Sequence, residues 1–163
     1  MKWQSHQAVT LVTTYAITGD WLTAVAAMQG SVWPDAVERF VPGLSHRGLS
    51  HWFPVYVIPL LLLAYHLPPY TDRLYPTLLH VSVAVFSGHL PWLNLAEAVL
   101  FWLLFGALLH IPEDAICGGV PIISPHQRFS LIRLFYVGSF MESVFTIAYM
   151  VIVLSTVCVY RWQ

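Results

Sequence analysis

The sequence predicts an all-α protein that is largely embedded in a membrane. Of its 163 residues, 58% are hydrophobic and only 9% are charged, whereas a soluble domain carries about 25 % charged residues. So few charges cannot cover a water-facing surface, and lipid is therefore expected to cover much of the exterior. The long charge-poor stretches carry no alternating strand pattern and no repeat.

Charge and cysteine content argue against other classes of protein. The formal net charge is -1 and there is no basic stripe, so nucleic acid is not expected as a partner. Cys117 and Cys158 lie far apart and form no CxxC pair, which predicts neither a disulfide framework nor a cysteine metal site. The stretch MKWQSHQAVTLVTTY has one lysine and no small-residue cleavage site, so it is expected to belong to the mature protein.

The first thirty residues predict a helical hairpin. The stretch HQAVTLVTTYAIT is a moderately apolar helix, and the Gly19-Asp20 pair interrupts it. Asp20 is a suitable N-cap for a second helix, WLTAVAAMQG. Helices of this length are about 14–20 Å long, shorter than the ~30 Å of bilayer hydrocarbon. A hairpin would return His6 to the neighbourhood of the stretch VWPDAVE.

The rest of the chain predicts about three spanning helices within one membrane-embedded domain, 1–163. Residues 52–69 would cross the membrane, 94–110 would return, and 134–160 would cross once more. Residues 74–89 would then form an interfacial or re-entrant helix. The expected organisation is a hairpin with the first ligand loops (1–51), membrane helices (52–110), a site loop (111–133) and a C-terminal transmembrane helix (134–160).

Polar residues concentrate in four islands at the ends of the apolar stretches. The islands hold His6; Asp35 and Glu38; His46 and His51; and His110, Glu113, Asp114 and His126. Ionisable groups near hydrocarbon are costly and tend to be functional. His110 and Asp114 are spaced i, i+4 and share one helix face, although Pro112 would distort that turn. An imidazole and a carboxylate on one face can hold a divalent ion. The plainer interpretation, an interfacial polar residue, is given to His66, His80 and His89.

These islands resemble the motifs of a known family. The stretches GSVWPD, HRGLSH, and HIPED followed by GVPIISP occur in the order found in the YdjM-like, LexA-regulated proteins of the bacterial inner membrane. That family is described as membrane-bound metal-dependent hydrolases. Where the family reads PDxDH this chain reads PDAVE, so Val37 replaces a carboxylate and Glu38 replaces a histidine. The family is distantly similar in turn to zinc-dependent phospholipase C and the single-strand nucleases that share its helical fold.

The resemblance implies a divalent metal site, with zinc expected first and manganese or magnesium as alternatives. The implied ligands are His6, Asp35, Glu38, His46, His51, His110 and Asp114. The implied activity is hydrolysis of a phosphoester, such as a lipid headgroup or a lipid-linked phosphate. The metal would lower the pKa of a bound water towards ~7.

Three residues are expected to act beside the metal, and two alternative functions remain open. Asp35 or Glu38 would accept the proton of the water if it does not bind the metal, and the planar fork of Arg47 would hold the phosphate. Lysines and arginines are more numerous at the site end, which predicts a cytoplasmic site face. The alternatives are a non-enzymatic membrane protein with a structural metal, and a small proton-coupled transporter that uses Glu97 and Glu142.

Overall fold

The computed structural model describes residues 1–43, 47–66, 77–124 and 127–161, and these are mainly helical. The helices are α1 (Trp3–Thr18), α2 (Trp21–Gly30), α3 (Trp33–Phe40), α4 (Pro54–His66), α5 (Leu78–Phe86), α6 (Trp92–Cys117) and α7 (Phe140–Arg161). A short 3-10 helix covers Leu49–His51. Two-residue strands, β1 (Val120–Pro121) and β2 (Arg128–Phe129), pair antiparallel. The predicted all-α class is confirmed for the described residues.

The N-terminal hairpin consists of α1 and α2, which pack along each other. Gly19 ends α1 with φ 71, in the left-handed region that glycine adopts without steric cost. Asp20 begins α2, where its carboxylate accepts the main-chain N–H groups of Leu22 and Thr23. The helix break at Gly19 and the N-cap at Asp20 are both as predicted from the sequence.

Asp20 also fixes the start of α5, which the sequence does not reveal. Its Oδ2 atom accepts the N–H of Leu79 at 3.0 Å, and the Thr23 hydroxyl accepts the N–H of Leu78 at 2.8 Å. Burial raises the pKa of the Asp20 carboxyl, but the hydrogen bonds from Thr23, Leu79 and Leu22 outweigh burial and lower it. One buried carboxylate therefore caps two helices.

We expect Asp20→Ala to destabilise the protein more than loss of a single cap does. Each lost cap costs about 1 kcal/mol, so the double cap predicts about 2 kcal/mol. For a chain of this size that corresponds to a fall in Tm of about 4–8 °C, measurable by thermal unfolding in detergent. Asp20→Asn keeps one acceptor oxygen and should lose less. Equal, small losses in both variants would contradict the double cap.

Helix α6 is the central element, and α2 crosses it at backbone contact. A Cβ atom added to Gly106 would lie 1.8 Å from the carbonyl oxygen of Ala27, and one added to Gly30 would lie 1.9 Å from that of Leu103. Glycine at both positions lets the two backbones touch. Ala27 and Trp102 belong to the buried apolar cluster that α5 also joins.

Two of the described helices are long and apolar enough to cross a membrane. They are α6, with 26 residues, and Phe140–Tyr160 of α7, with 21 residues. The third predicted span, 52–69, is not found at spanning length. Its described part, α4, has 13 residues and is about 20 Å long, while 67–69 lie outside the described residues. Helix α5 has nine residues and is about 14 Å long, too short to cross ~30 Å of hydrocarbon.

Several helix ends meet at one end of the molecule, here called the site end. The main-chain carbonyl of Ser31, after α2, lies 2.6 Å from the His110 ring on the last turns of α6. Glu142, in the first turn of α7, accepts the N–H of Lys2 at 2.5 Å and that of Gly138 at 2.6 Å. The contact of the Met1 amino group with Asp114 of α6 joins these two pairs of helix ends.

Candidate metal centre

Four side chains from three elements converge at the site end. Asp35 comes from α3, His51 from the 3-10 helix, and His110 and Asp114 from α6. One nitrogen or oxygen atom of each lies within 4.8 Å of the corresponding atoms of the others. Helix α6 continues through Pro112 to its end, which keeps His110 and Asp114 on one face. These four side chains can hold a metal ion.

Five of the six distances between the donor atoms are close to those around a four-coordinate ion. The Nε2 atoms of His51 and His110 are 3.1 Å apart. Asp35 Oδ1 lies 3.4 Å from His51 Nε2 and 3.6 Å from His110 Nε2. Asp114 Oδ2 lies 3.6 and 3.7 Å from the same two nitrogens. Ligands about 2.0–2.2 Å from a tetrahedral zinc lie roughly 3.3–3.6 Å from one another.

The second nitrogen of each histidine in this group is held by an oxygen acceptor. His110 Nδ1 donates to the carbonyl of Ser31 at 2.6 Å. His51 Nδ1 lies 2.9 Å from Glu38 Oε1. In metal sites such acceptors fix the tautomer and aim the other nitrogen at the ion. The donor set therefore has the outer contacts that a metal site requires.

His6 adds a third imidazole beside the cluster. Its ring is fully buried and stacks on His110 with the ring centroids 3.8 Å apart. Its Nδ1 atom lies 2.6 Å from Glu113 Oε2, and Thr10 donates to the other oxygen of Glu113 at 2.9 Å. Its Nε2 atom is 3.3 Å from Asp114 Oδ1 and has no hydrogen-bond partner among the described residues. This nitrogen is a candidate fifth donor.

Arg47 reaches the same cluster from a strained backbone position. Its φ of 52 lies in the left-handed region, which is uncommon for a residue other than glycine. Its N–H donates to Glu38 Oε1 at 2.6 Å, and its Nη2 lies 2.9 Å from Asp114 Oδ2. The amino group of Met1 contacts the other oxygen of Asp114. A Cβ atom on Gly118 would lie 2.0 Å from Arg47 Nη1, so Gly118 leaves room for the guanidinium.

The cluster opens to solvent at Asp35 and Arg47. Their side chains are 18% and 12% exposed, whereas those of His51 and His110 are 0% exposed and that of Asp114 is 3% exposed. An acid and a guanidinium thus line the mouth of a site whose other donors are buried.

Electrostatic contacts shift the titration of the groups outside the spanning helices. Burial lowers the pKa of His51, but hydrogen bonds with Asp114 and Asp35 and the charge of Glu38 outweigh it and raise that pKa to about 9. Burial raises the pKa of Asp35, and its hydrogen bond with His51 outweighs burial and lowers it. In the metal-free protein a proton on His51 therefore stabilises the surrounding carboxylates.

The structure brings most of the predicted site residues together. The four-residue cluster contains predicted ligands only, and His6 borders it. Glu38, a predicted ligand, lies behind His51 and binds its Nδ1 atom and the Ser50 hydroxyl. His46 and His126 lie outside the described residues. No role was predicted for Glu113 or Ser31, and the only signal in the sequence for Glu113 is its position beside Asp114.

Comparisons with family models, with curated proteins and with solved structures find no match to this chain. The fold and the cluster define a mainly helical protein with two helices able to span a membrane and a group of aspartates and histidines able to bind a metal ion. The resemblance to the YdjM-like family stays a prediction.

Proposed function

We propose that the protein is a membrane-bound metal-dependent hydrolase that acts on a phosphoester, such as a lipid headgroup or a lipid-linked phosphate. One observation carries this proposal: the buried donor cluster is lined at its mouth by Asp35 and Arg47. A carboxylate can accept a proton there, and a guanidinium can pair with phosphate oxygens.

In the hydrolase the ion would be held by His51, His110 and Asp114, and Asp35 would lie beside the open fourth position where the water would bind. Two imidazole nitrogens and a carboxylate oxygen suit zinc best, with manganese or magnesium as alternatives. A bound zinc ion supplies a Lewis acid that lowers the pKa of a water molecule and polarises a phosphoryl oxygen. His6 would remain beside the ion, oriented by Glu113.

Arg47 and Asp35 would do the remaining chemistry. Arg47 Nη2 pairs with Asp114, while its Nε atom has no hydrogen-bond partner among the described residues. That Nε atom is buried, so a phosphate oxygen would meet the guanidinium through its outer N–H groups at the mouth of the site. Asp35 is better placed than Glu38 to accept the proton of the water, because Glu38 Oε1 already accepts hydrogen bonds from Arg47 and Ser50.

The proposed location is the inner membrane of a bacterium, with α6 and α7 among the spanning helices of a multi-pass protein. The site end would face the cytoplasm, since basic residues favour that side. The described basic residues at the site end are Lys2, Arg39, Arg47, Arg128 and Arg133.

A structural metal site is the second candidate, and the donor count favours it. If Asp35 binds the ion as well, the four protein donors leave no open coordination position, which is typical of structural zinc. The proton-coupled transporter gains less support. The Glu142 carboxylate is occupied by main-chain N–H groups at the start of α1 and α7.

Cobalt substitution separates the two leading candidates. The detergent-purified protein is loaded with Co²⁺, and its visible absorption spectrum is followed as inorganic phosphate is added. The hydrolase proposal expects the spectrum to change and expects metal-dependent release of phosphate from a long-chain lipid phosphate in micelles. Arg47→Lys should weaken both effects. An unchanged spectrum together with no phosphate release would favour the structural site.

We expect metal affinity to rise with pH up to about pH 9. The pKa of His51 is about 9 in the metal-free protein, so at neutral pH the ion must displace one proton from that ring. One displaced proton predicts an affinity gain of about tenfold per pH unit below the pKa. Competition with a chelator between pH 6.5 and 9 would measure the slope.

The metal-free protein should show the opposite trend in stability. Because the pKa of His51 in the folded protein, about 9, lies above the ordinary histidine value of about 6.5, its stabilising contribution is fully present below about pH 6.5 and is lost as pH rises through 9. An affinity that is independent of pH over this window would contradict a protonated His51 in the metal-free site.

A further inference from the structure

The segment 127–140, between the site end and α7, exposes large apolar side chains and arginines together. Several of its side chains are more than half exposed, namely Leu131, Ile132, Leu134, Tyr136, Val137 and Phe140. Arg128 and Arg133 are exposed among them. We propose that this segment, here called the interfacial segment, lies in the headgroup region of the bilayer and binds anionic lipid headgroups.

The exposed side chains point outward because the interfacial segment is fixed to the protein on its other side. Phe135 is buried and packs against Phe145, with the ring centroids 5.2 Å apart. The N–H of Leu131 donates to the carbonyl of Ala115 at 3.0 Å, and that of Leu134 donates to the carbonyl of Ile116 at 3.1 Å. These bonds hold the segment beside the last turn of α6, next to the metal cluster.

The backbone of the interfacial segment determines its depth in the bilayer. Apart from the two residues of β2, it is neither helical nor extended in a sheet until α7 begins at Phe140. Irregular backbone that faces lipid does not occur in the hydrocarbon core, because its polar groups would lack partners. Exposed aromatic and aliphatic side chains are costly in bulk water. The headgroup region, where aromatic belts form, satisfies both requirements.

The charge of the interfacial segment favours anionic lipids. From 127 to 141 the sequence has two arginines and no acid, and the next acid, Glu142, is buried. Each basic residue near an anionic membrane surface favours binding. Anionic headgroups are therefore preferred to zwitterionic ones, and they would gather close to the mouth of the metal centre.

Fluorescence quenching tests the proposal, which rests on the proposed membrane location but not on the metal chemistry. Ile132→Cys and Val151→Cys are made in a Cys117→Ser, Cys158→Ser background, labelled with bimane and placed in nanodiscs. The two positions are equally exposed, at 59% and 58%. We expect the label at position 132 to be quenched most by lipids with a nitroxide near the headgroup. The label at 151, within α7, should be quenched most by a nitroxide deep in the acyl chain.

The lipid preference is read from the same label. At equal mole fraction, nitroxide-bearing phosphatidylglycerol should quench position 132 about twofold more than nitroxide-bearing phosphatidylcholine. Arg128→Gln with Arg133→Gln should remove the difference. If 151 is quenched and 132 is not, or 132 is quenched most by the deep nitroxide, the interfacial placement is wrong. Equal quenching by both lipids would overturn the anionic preference. If neither position is quenched, the membrane location itself fails.

Discussion

His110→Asn should abolish metal binding while leaving the protein folded. The Asn amide N–H can still donate a hydrogen bond to the carbonyl of Ser31, as Nδ1 does at 2.6 Å. Asn is too short, however, to place a metal-binding atom where Nε2 lies. That nitrogen lies within 3.7 Å of donor atoms of His51, Asp35 and Asp114. We expect metal analysis to fall from about one ion per chain to nearly none.

Two further substitutions, His110→Ala and His89→Ala, distinguish loss of a metal ligand from loss of stability. His110→Ala removes the Ser31 contact as well and leaves a cavity in a fully buried position, so it should lower both metal content and stability, by about 2–4 kcal/mol. His89→Ala changes an exposed histidine and should change neither. Retention of metal by His110→Asn would remove His110 from the ligand set.

The sequence predicts local features of this fold well because single residues determine them. Gly19 ends α1, Asp20 caps α2, and the i, i+4 spacing puts His110 and Asp114 on one face. Each depends on backbone geometry within one or two helical turns. Span length was predicted less well. The apolar composition of 52–69 is the same whether its helix crosses the bilayer or ends early.

The contacts that orient the ligands could not be predicted from the sequence. Glu113 holds His6 although 107 positions separate them in the chain, and nothing in either local sequence indicates the pairing. The acceptor for His110 is the main-chain carbonyl of Ser31, a group that every residue has. Glu38 was expected to contact the ion directly, and its position behind His51 depends on how the backbone turns at Arg47.

Gly106→Ala should destabilise the protein strongly and weaken the metal centre from a distance. The added Cβ would lie 1.8 Å from the carbonyl oxygen of Ala27, a backbone atom that no side-chain rotation can move. Helices α2 and α6 must separate, at a cost of about 3 kcal/mol or more, or a fall in Tm of about 6–12 °C. Their separation also draws Ser31 away from His110, so metal affinity should fall although every ligand is present.

Gly119→Ala is the control for this prediction. Its Cβ would lie 3.1 Å from Arg128 Cβ, so the neighbouring chain needs to shift by only a few tenths of an ångström, at a cost of about 1 kcal/mol. Thermal unfolding and chelator competition are measured on both variants, with and without metal. If Gly106→Ala unfolds at the same temperature as Gly119→Ala, α2 and α6 do not touch at their backbones. If Gly106→Ala loses stability but keeps full metal affinity, the α2–α6 crossing does not position His110, and the orientation of the ring must come from its stacking on His6.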